Sequence, residues 1–116
     1  MSTQENFRVE VRNEDRAVVF AVEGELDLAS SPTLEQEFER VRDADVDLLI
    51  VDLRELRFMD STGLHALVKA NKRAGEAGQR FAVVKGGAQI QRLLSLTGVG
   101  ELLIVADSPE ELLRAG

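Results

Sequence analysis

A chain of 116 residues is one domain's worth, able to bury roughly two-thirds of the surface it exposes when unfolded. It holds no cysteine, which excludes disulfides, thiolate metal sites and thiol redox chemistry, and with five Phe, no Trp and no Tyr its core falls to Leu, Val, Ile and Ala. Its 21 acidic residues against 14 basic ones, net −7, speak against nucleic acid as a partner, because phosphates require a basic face.

The N-terminal "MSTQENFRVE" lacks the apolar region of a secretory signal, and no apolar run approaches membrane-spanning length. The expectation is a cytoplasmic protein with no direct membrane insertion. Residues 1–6 are polar and expected to be flexible, with the domain proper over 7–116. "FRVEVRN" alternates Phe7, Val9 and Val11 with Arg8, Glu10 and Arg12, the period of a half-buried strand. Asn13 to Arg16 is a turn, and "AVVFAVEG" is a second strand ending at Gly24; so short a link predicts an antiparallel hairpin.

In the loop "ELDLASSP", Ser31 before Pro32 reads as a helix start, the hydroxyl accepting free amides and proline taking the first helical position. Leu34, Phe38 and Val41 mark one apolar face. After Asp43, Asp45 and Asp47, "VDLLIVDL" reads as a central strand. A helix is predicted from about Ser61 to Ala77, with Leu64, Leu67 and Val68 on one side, Ala66, Ala70, Ala74 and Ala77 beside them, and Gly78 as a left-handed stop. "RFAVVKGG" is a strand with a Gly-Gly turn; "AQIQRLLSLTG" is a helix with Ile90, Leu93, Leu94 and Thr97 on a common face. "ELLIVA" closes the sheet, and "SPEELLRAG" starts a last helix with Glu110 and Glu111 at its positive end.

The order is ββαβαβαβα. It predicts a single small α/β domain with a mixed sheet of about five strands, largely parallel beyond the first hairpin, joined by right-handed crossovers. Loops with function lie at the carboxyl ends of such strands. "LRFMDSTGLHALV" falls there, with Asp60, Ser61, Thr62 and Gly63 at a strand-to-helix joint.

Several chemistries fail on this sequence. His65 is the single histidine, and "DADVDL", although it begins like a calcium loop, lacks the turn glycine at Leu48 and the closing glutamate at Arg54. "KGGA" lacks the spacing of a phosphate-cradling loop. Ser61 and His65 are four apart and can share a helix face, yet Met59 stands where a nucleophile elbow needs glycine. Asp60 or Ser61 can cap the helix, and Gly63 gives an open approach to the hydroxyls.

"FMDSTGL", with "GELD" upstream and "RLLSLTGV" downstream, resembles the anti-sigma factor antagonists of bacteria within the STAS domain family, from about Phe7 to Leu113. The resemblance implies a small sheet with helices mainly on one face. It implies a regulatory protein without a cofactor, itself not an enzyme but the substrate of one. Ser61 is then the residue phosphorylated by a partner anti-sigma factor that is also a serine kinase. Unphosphorylated, the antagonist binds that kinase and frees the sigma factor; phosphorylated, it lets go, and a separate serine phosphatase resets it. Asp27, Asp60, Ser61, Thr62, Gly63, Leu64 and His65 are the implied partner-binding positions, on a monomer or weak dimer. His65 departs from the glycine often found there in relatives, and as a neighbour of Ser61 it can pair with the phosphate. The alternatives are a STAS scaffold subunit of a larger signalling complex, an accessory subunit of a transporter, and a Ser61 hydrolase.

Overall fold

The alternation of Phe7, Val9 and Val11 does build a strand, and the sheet extends from it on both sides. In the computed structural model, which describes residues 2–4, 6–42 and 45–115, the elements are β1 (Ser2–Gln4), β2 (Phe7–Glu14), β3 (Ala17–Leu26), α1 (Ser31–Arg40), β4 (Leu48–Met59), α2 (Ser61–Glu76), β5 (Arg80–Val84), α3 (Ala88–Thr97), a 3₁₀ turn (Val99–Glu101), β6 (Ile104–Ala106) and α4 (Pro109–Ala115). Asp43 of the acidic run lies outside the described residues.

Strand order in the sheet follows chain order, β1-β2-β3-β4-β5-β6. β2 pairs antiparallel with both β1 and β3; β3, β4, β5 and β6 are parallel. Every parallel crossover therefore advances one strand in the same direction, and connections of one hand then lay α1, α2 and α3 on the same face. Leu34, Leu64, Leu67, Ile90 and Leu94 from those helices share one core with Val9, Phe20, Val51 and Val83 of the sheet. Phe38 stands edge-on between Phe20 and Phe81, which ties α1 to β3 and β5. α4 lies on the opposite face, where Leu112 and Leu113 pack on Ala17, Val19, Leu48, Ile50, Ala82 and Val84.

The structure revises the expected elements in several places. The N-terminal segment, expected to be flexible, contributes β1 in register with β2, Ser2 opposite Val9, so the sheet has six strands. Asn6, with φ 66°, takes the left-handed turn that folds it back. β3 does not end at Gly24 but passes through it to Leu26. Gly24 adopts φ +92°, and a Cβ there would run into the Asn6 carbonyl oxygen. β4 runs on to Met59, following β3 through two register shifts. At the first shift the buried Asp52 carboxylate accepts the Arg54 amide (3.1 Å) and guanidinium (2.8 Å). Only the second half of "ELLIVA" is strand: Gly98 turns left-handed (φ 77°), a 3₁₀ turn comes next, and Ile104–Ala106 pair with β5.

The two Ser-Pro starts differ. In α4, Ser108 Oγ accepts the Glu111 amide (3.2 Å), as expected of a cap. In α1 the helix already includes Ser31, whose buried hydroxyl has no hydrogen-bond partner among the described residues, and the flanking residue is Ser30. Ser31 is therefore not the cap and Pro32 is the second helical residue. Asp45 and Asp47 of the acidic run are clamped by Arg16 from the β2–β3 turn: Nη1 reaches Asp45 at 2.6 Å, and Nε and Nη2 reach Asp47 at 2.6 and 2.9 Å. The hydrogen bond from Arg16 holds the Asp47 carboxyl below its ordinary pKa.

Two outcomes are expected. Gly24→Ala must strain the backbone and displace Asn6, costing about 2–3 kcal/mol in urea unfolding, whereas Gly78→Ala, also at positive φ (+76°) but in open space, costs about 1 kcal/mol. Equal losses would show that the Asn6 contact carries nothing. The depressed Asp47 pKa places the Arg16 contribution above the ordinary carboxylate range and removes it as pH falls through the lowered value. The stability gap between the parent and Arg16→Gln is therefore expected to shrink on acidification and in ~1 M salt; a gap constant with pH would assign Arg16 to packing alone.

Candidate functional site

β3 and β4 end together. Leu26 is the register partner of Met59, so the residues that leave the sheet next, Asp27 and Asp60, start from adjacent parallel strands. The Asp60 amide donates to the Leu26 carbonyl (3.2 Å), which ties the two ends. Each aspartate then organises its own loop.

Asp60 is extended (φ −100°, ψ −173°) and caps α2: Oδ1 accepts the Gly63 amide at 3.0 Å, and its carbonyl accepts the Leu64 amide at 3.0 Å. Asp27 Oδ1 accepts the amides of Ala29 and Ser30, both at 3.1 Å. Ser30 Oγ sits between the Glu25 carbonyl (2.7 Å) and that same carboxylate oxygen (3.1 Å), and accepts the Asp27 amide (2.9 Å). Asp27 thus shapes the β3–α1 loop while staying partly exposed, and Leu28 beside it is 73% exposed.

The helix period sorts the residues after Asp60. Ser61, His65, Lys69 and Lys72 are exposed on the outward face; Gly63, Leu64 and Leu67 are buried on the inward one, and Thr62 is intermediate. Of the residues expected at a partner surface, Ser61 and His65 are open, and Asp27, Asp60 and Thr62 are partly so. Gly63 and Leu64 face the sheet; Leu64, 7% exposed, belongs to the core and offers no side chain to a partner. Gly63 is also not there to open an approach to the hydroxyls. A Cβ on it would lie 2.5 Å from the Leu26 carbonyl oxygen and 2.8 Å from Leu26 Cγ, so glycine is what lets α2 start against the end of β3.

Two surface residues escaped the sequence reading. Leu28 sits in a polar-looking loop, and Phe58 lies opposite Glu25, where a β4 bulge breaks the alternation. Only the second register shift could have exposed Phe58 in advance, and no residue pattern marks it.

Catalytic readings find little support in the geometry. Ser61 and His65 form no hydrogen bond to each other among the described residues, and a cleft between α1 and α2, floored by Phe38, Leu49, Ala66 and Ala70, does not include Ser61. At "KGGA" the Gly86 amide already donates to Gln91 Oε1 (2.9 Å). Among the described residues no group of three His, Cys, Asp or Glu side chains is placed to hold a metal ion, and no helix is long and apolar enough to cross a membrane.

Comparison with known proteins gives consistent matches. The model of the STAS domain family matches residues 8–112. The anti-sigma-B factor antagonist of Staphylococcus aureus is 29% identical over 105 residues, 90% of this chain and 97% of its own length. The anti-sigma-F factor antagonist RsfB of Mycobacterium tuberculosis is 28% identical over 99 residues, 85% of this chain and 80% of its own. The crystal structure of an anti-sigma factor antagonist from Mycobacterium paratuberculosis superposes with a TM-score of 0.86 at 28% identity, covering 99% of this chain and 97% of that one.

Asp60→Ala is expected to lower stability by about 1 kcal/mol and Asp60→Asn by less, as for a lost and a conserved cap. Gly63→Ala is expected to cost about 1–3 kcal/mol, because a backbone carbonyl stands in the way. Chemical denaturation measures all three; a neutral Asp60→Ala would remove the cap from the account of this site.

Proposed function

The chain belongs to the STAS domain family, and on that footing we propose that it is an anti-sigma factor antagonist whose switch is the hydroxyl of Ser61. The observation that carries the reading is the placement of that hydroxyl: first residue of α2, exposed, directly after the aspartate that caps the helix. Relatives named as antagonists of anti-sigma factors match this chain over most of its length.

In the proposed cycle the unmodified protein binds an anti-sigma factor that is also a serine kinase, and so releases the sigma factor. The kinase then transfers the γ-phosphoryl group of ATP. The Ser61 Oγ–phosphorus bond forms, the bond from the γ-phosphorus to the bridging oxygen of ADP breaks, ADP leaves, and the hydroxyl proton goes to a base of the kinase. A serine phosphatase returns the hydroxyl. The protein is the substrate of both enzymes and catalyses neither step.

The modification adds about −1.5 to −2 charge at neutral pH. At a helix N-terminus that charge is tolerated by the fold. Against a docked partner it must be desolvated beside the carboxylates of Asp27 and Asp60, and a loss of ~2.7 kcal/mol weakens binding about a hundredfold. Thr62 is the poorer acceptor, being half-buried next to the open Ser61.

Mixing the protein with a candidate anti-sigma kinase and ATP, then locating the phosphate by mass spectrometry, tests the assignment. Ser61→Ala is expected to abolish labelling and keep binding; Thr62→Ala is expected to keep both. Ser61→Asp is expected to bind poorly, and tight binding by that variant, or label on Thr62, would overturn the switch.

A further inference from the structure

Resting on the reading of Ser61 as the phosphoacceptor, we infer that His65 is the phosphate's binding partner once Ser61 is modified, so that Ser61 and His65 form a phosphate-holding pair on the outward face of α2. Part of the obvious receptor for the phosphate, the amides of the helix's first turn, is already engaged. Asp60 takes the Gly63 amide with its carboxylate and the Leu64 amide with its carbonyl. A phosphate on the next residue meets that carboxylate as a like charge and is driven away from the cap, along the exposed face.

One turn along that face stands His65. It is at i+4 from Ser61, the spacing at which helix side chains meet, it is exposed, and it makes no hydrogen bond or ion pair among the described residues. The other cations of the face are worse placed. Lys69 is two turns away and is paired with Glu35 of α1 (3.4 Å); Lys72 is three turns away.

The charged groups around the pair are thus Asp60 at the cap, Lys69 and Lys72 farther down α2, Glu35 of α1 held by Lys69, and Asp27 of the β3–α1 loop, which is bound to the amides of its own loop. Asp60 is the anion that repels the phosphate. The contact is strongest with the imidazolium, so it weakens as pH rises and the ring loses its proton.

The sequence holds one histidine, which makes the test unambiguous. Phosphoserine is installed at position 61 by genetic encoding, which needs no kinase. His65 is titrated by proton–carbon NMR and the phosphate by phosphorus NMR. The histidine pKa is expected to rise by ~0.5 unit or more relative to the unmodified protein. By linkage the second pKa of the phosphate falls by the same amount, and His65→Gln abolishes that fall while Lys69→Gln leaves it. A histidine that titrates alike in both forms, or a phosphate indifferent to His65→Gln, would overturn the pair. Because the phosphate is placed synthetically, that result would leave open which residue a kinase uses, and labelling at another residue would leave the pair intact.

Discussion

The approach of α2 to the end of β3 governs the rest of the site. The first turn of the helix presses so closely on the Leu26 carbonyl that position 63 has no room for a side chain. Once that contact is made, the helix period fixes the remainder. Leu64 and Leu67 turn into the core, and Ser61 and His65 turn out. The exposure of the serine is therefore a packing result, a consequence of which neighbour must be buried. The same contact brings the carboxyl ends of β3 and β4 level, so that Asp27 and Asp60 leave adjacent strands.

Much of this was legible in the residues, for reasons that differ by element. The alternation of Phe7, Val9 and Val11 could be read because one face of β2 meets the core. The strand-to-helix joint could be read because an aspartate cap followed by apolar residues at helical spacing is a local signal, and the cap is made within three residues. The STAS resemblance, carried by the same stretch, agrees with the family match over residues 8–112. What could not be read depends on partners distant in sequence. Gly24 looked like a strand end, whereas its conformation is set by the Asn6 carbonyl. "ELLIVA" has strand residues, but the left-handed Gly98 starts a 3₁₀ turn that uses up the first of them. Identical Ser-Pro pairs diverge because Ser30, held by Asp27 and Glu25, draws the loop into α1 before Ser31 can act as a cap.

Charge on this acidic chain is arranged locally. Arg16 gathers Asp45 and Asp47, and Arg54 satisfies Asp52 where β4 departs from regular pairing. At the candidate site the two aspartates instead spend their carboxylates on backbone amides, which leaves no cation ion-paired to them among the described residues. Under the proposed function a dianion on Ser61 stands next to the Asp60 carboxylate from the first moment, without any element having to move. Under the proposed function the response to phosphorylation lies in what the surface will accept, with the fold itself unchanged.

The second face of the sheet has a consequence for handling the protein. Six strand residues there are roofed by two leucines from a seven-residue helix at the C-terminal end of the chain. A deletion that removes those two leucines uncovers Ile50 and Val84 and invites self-association.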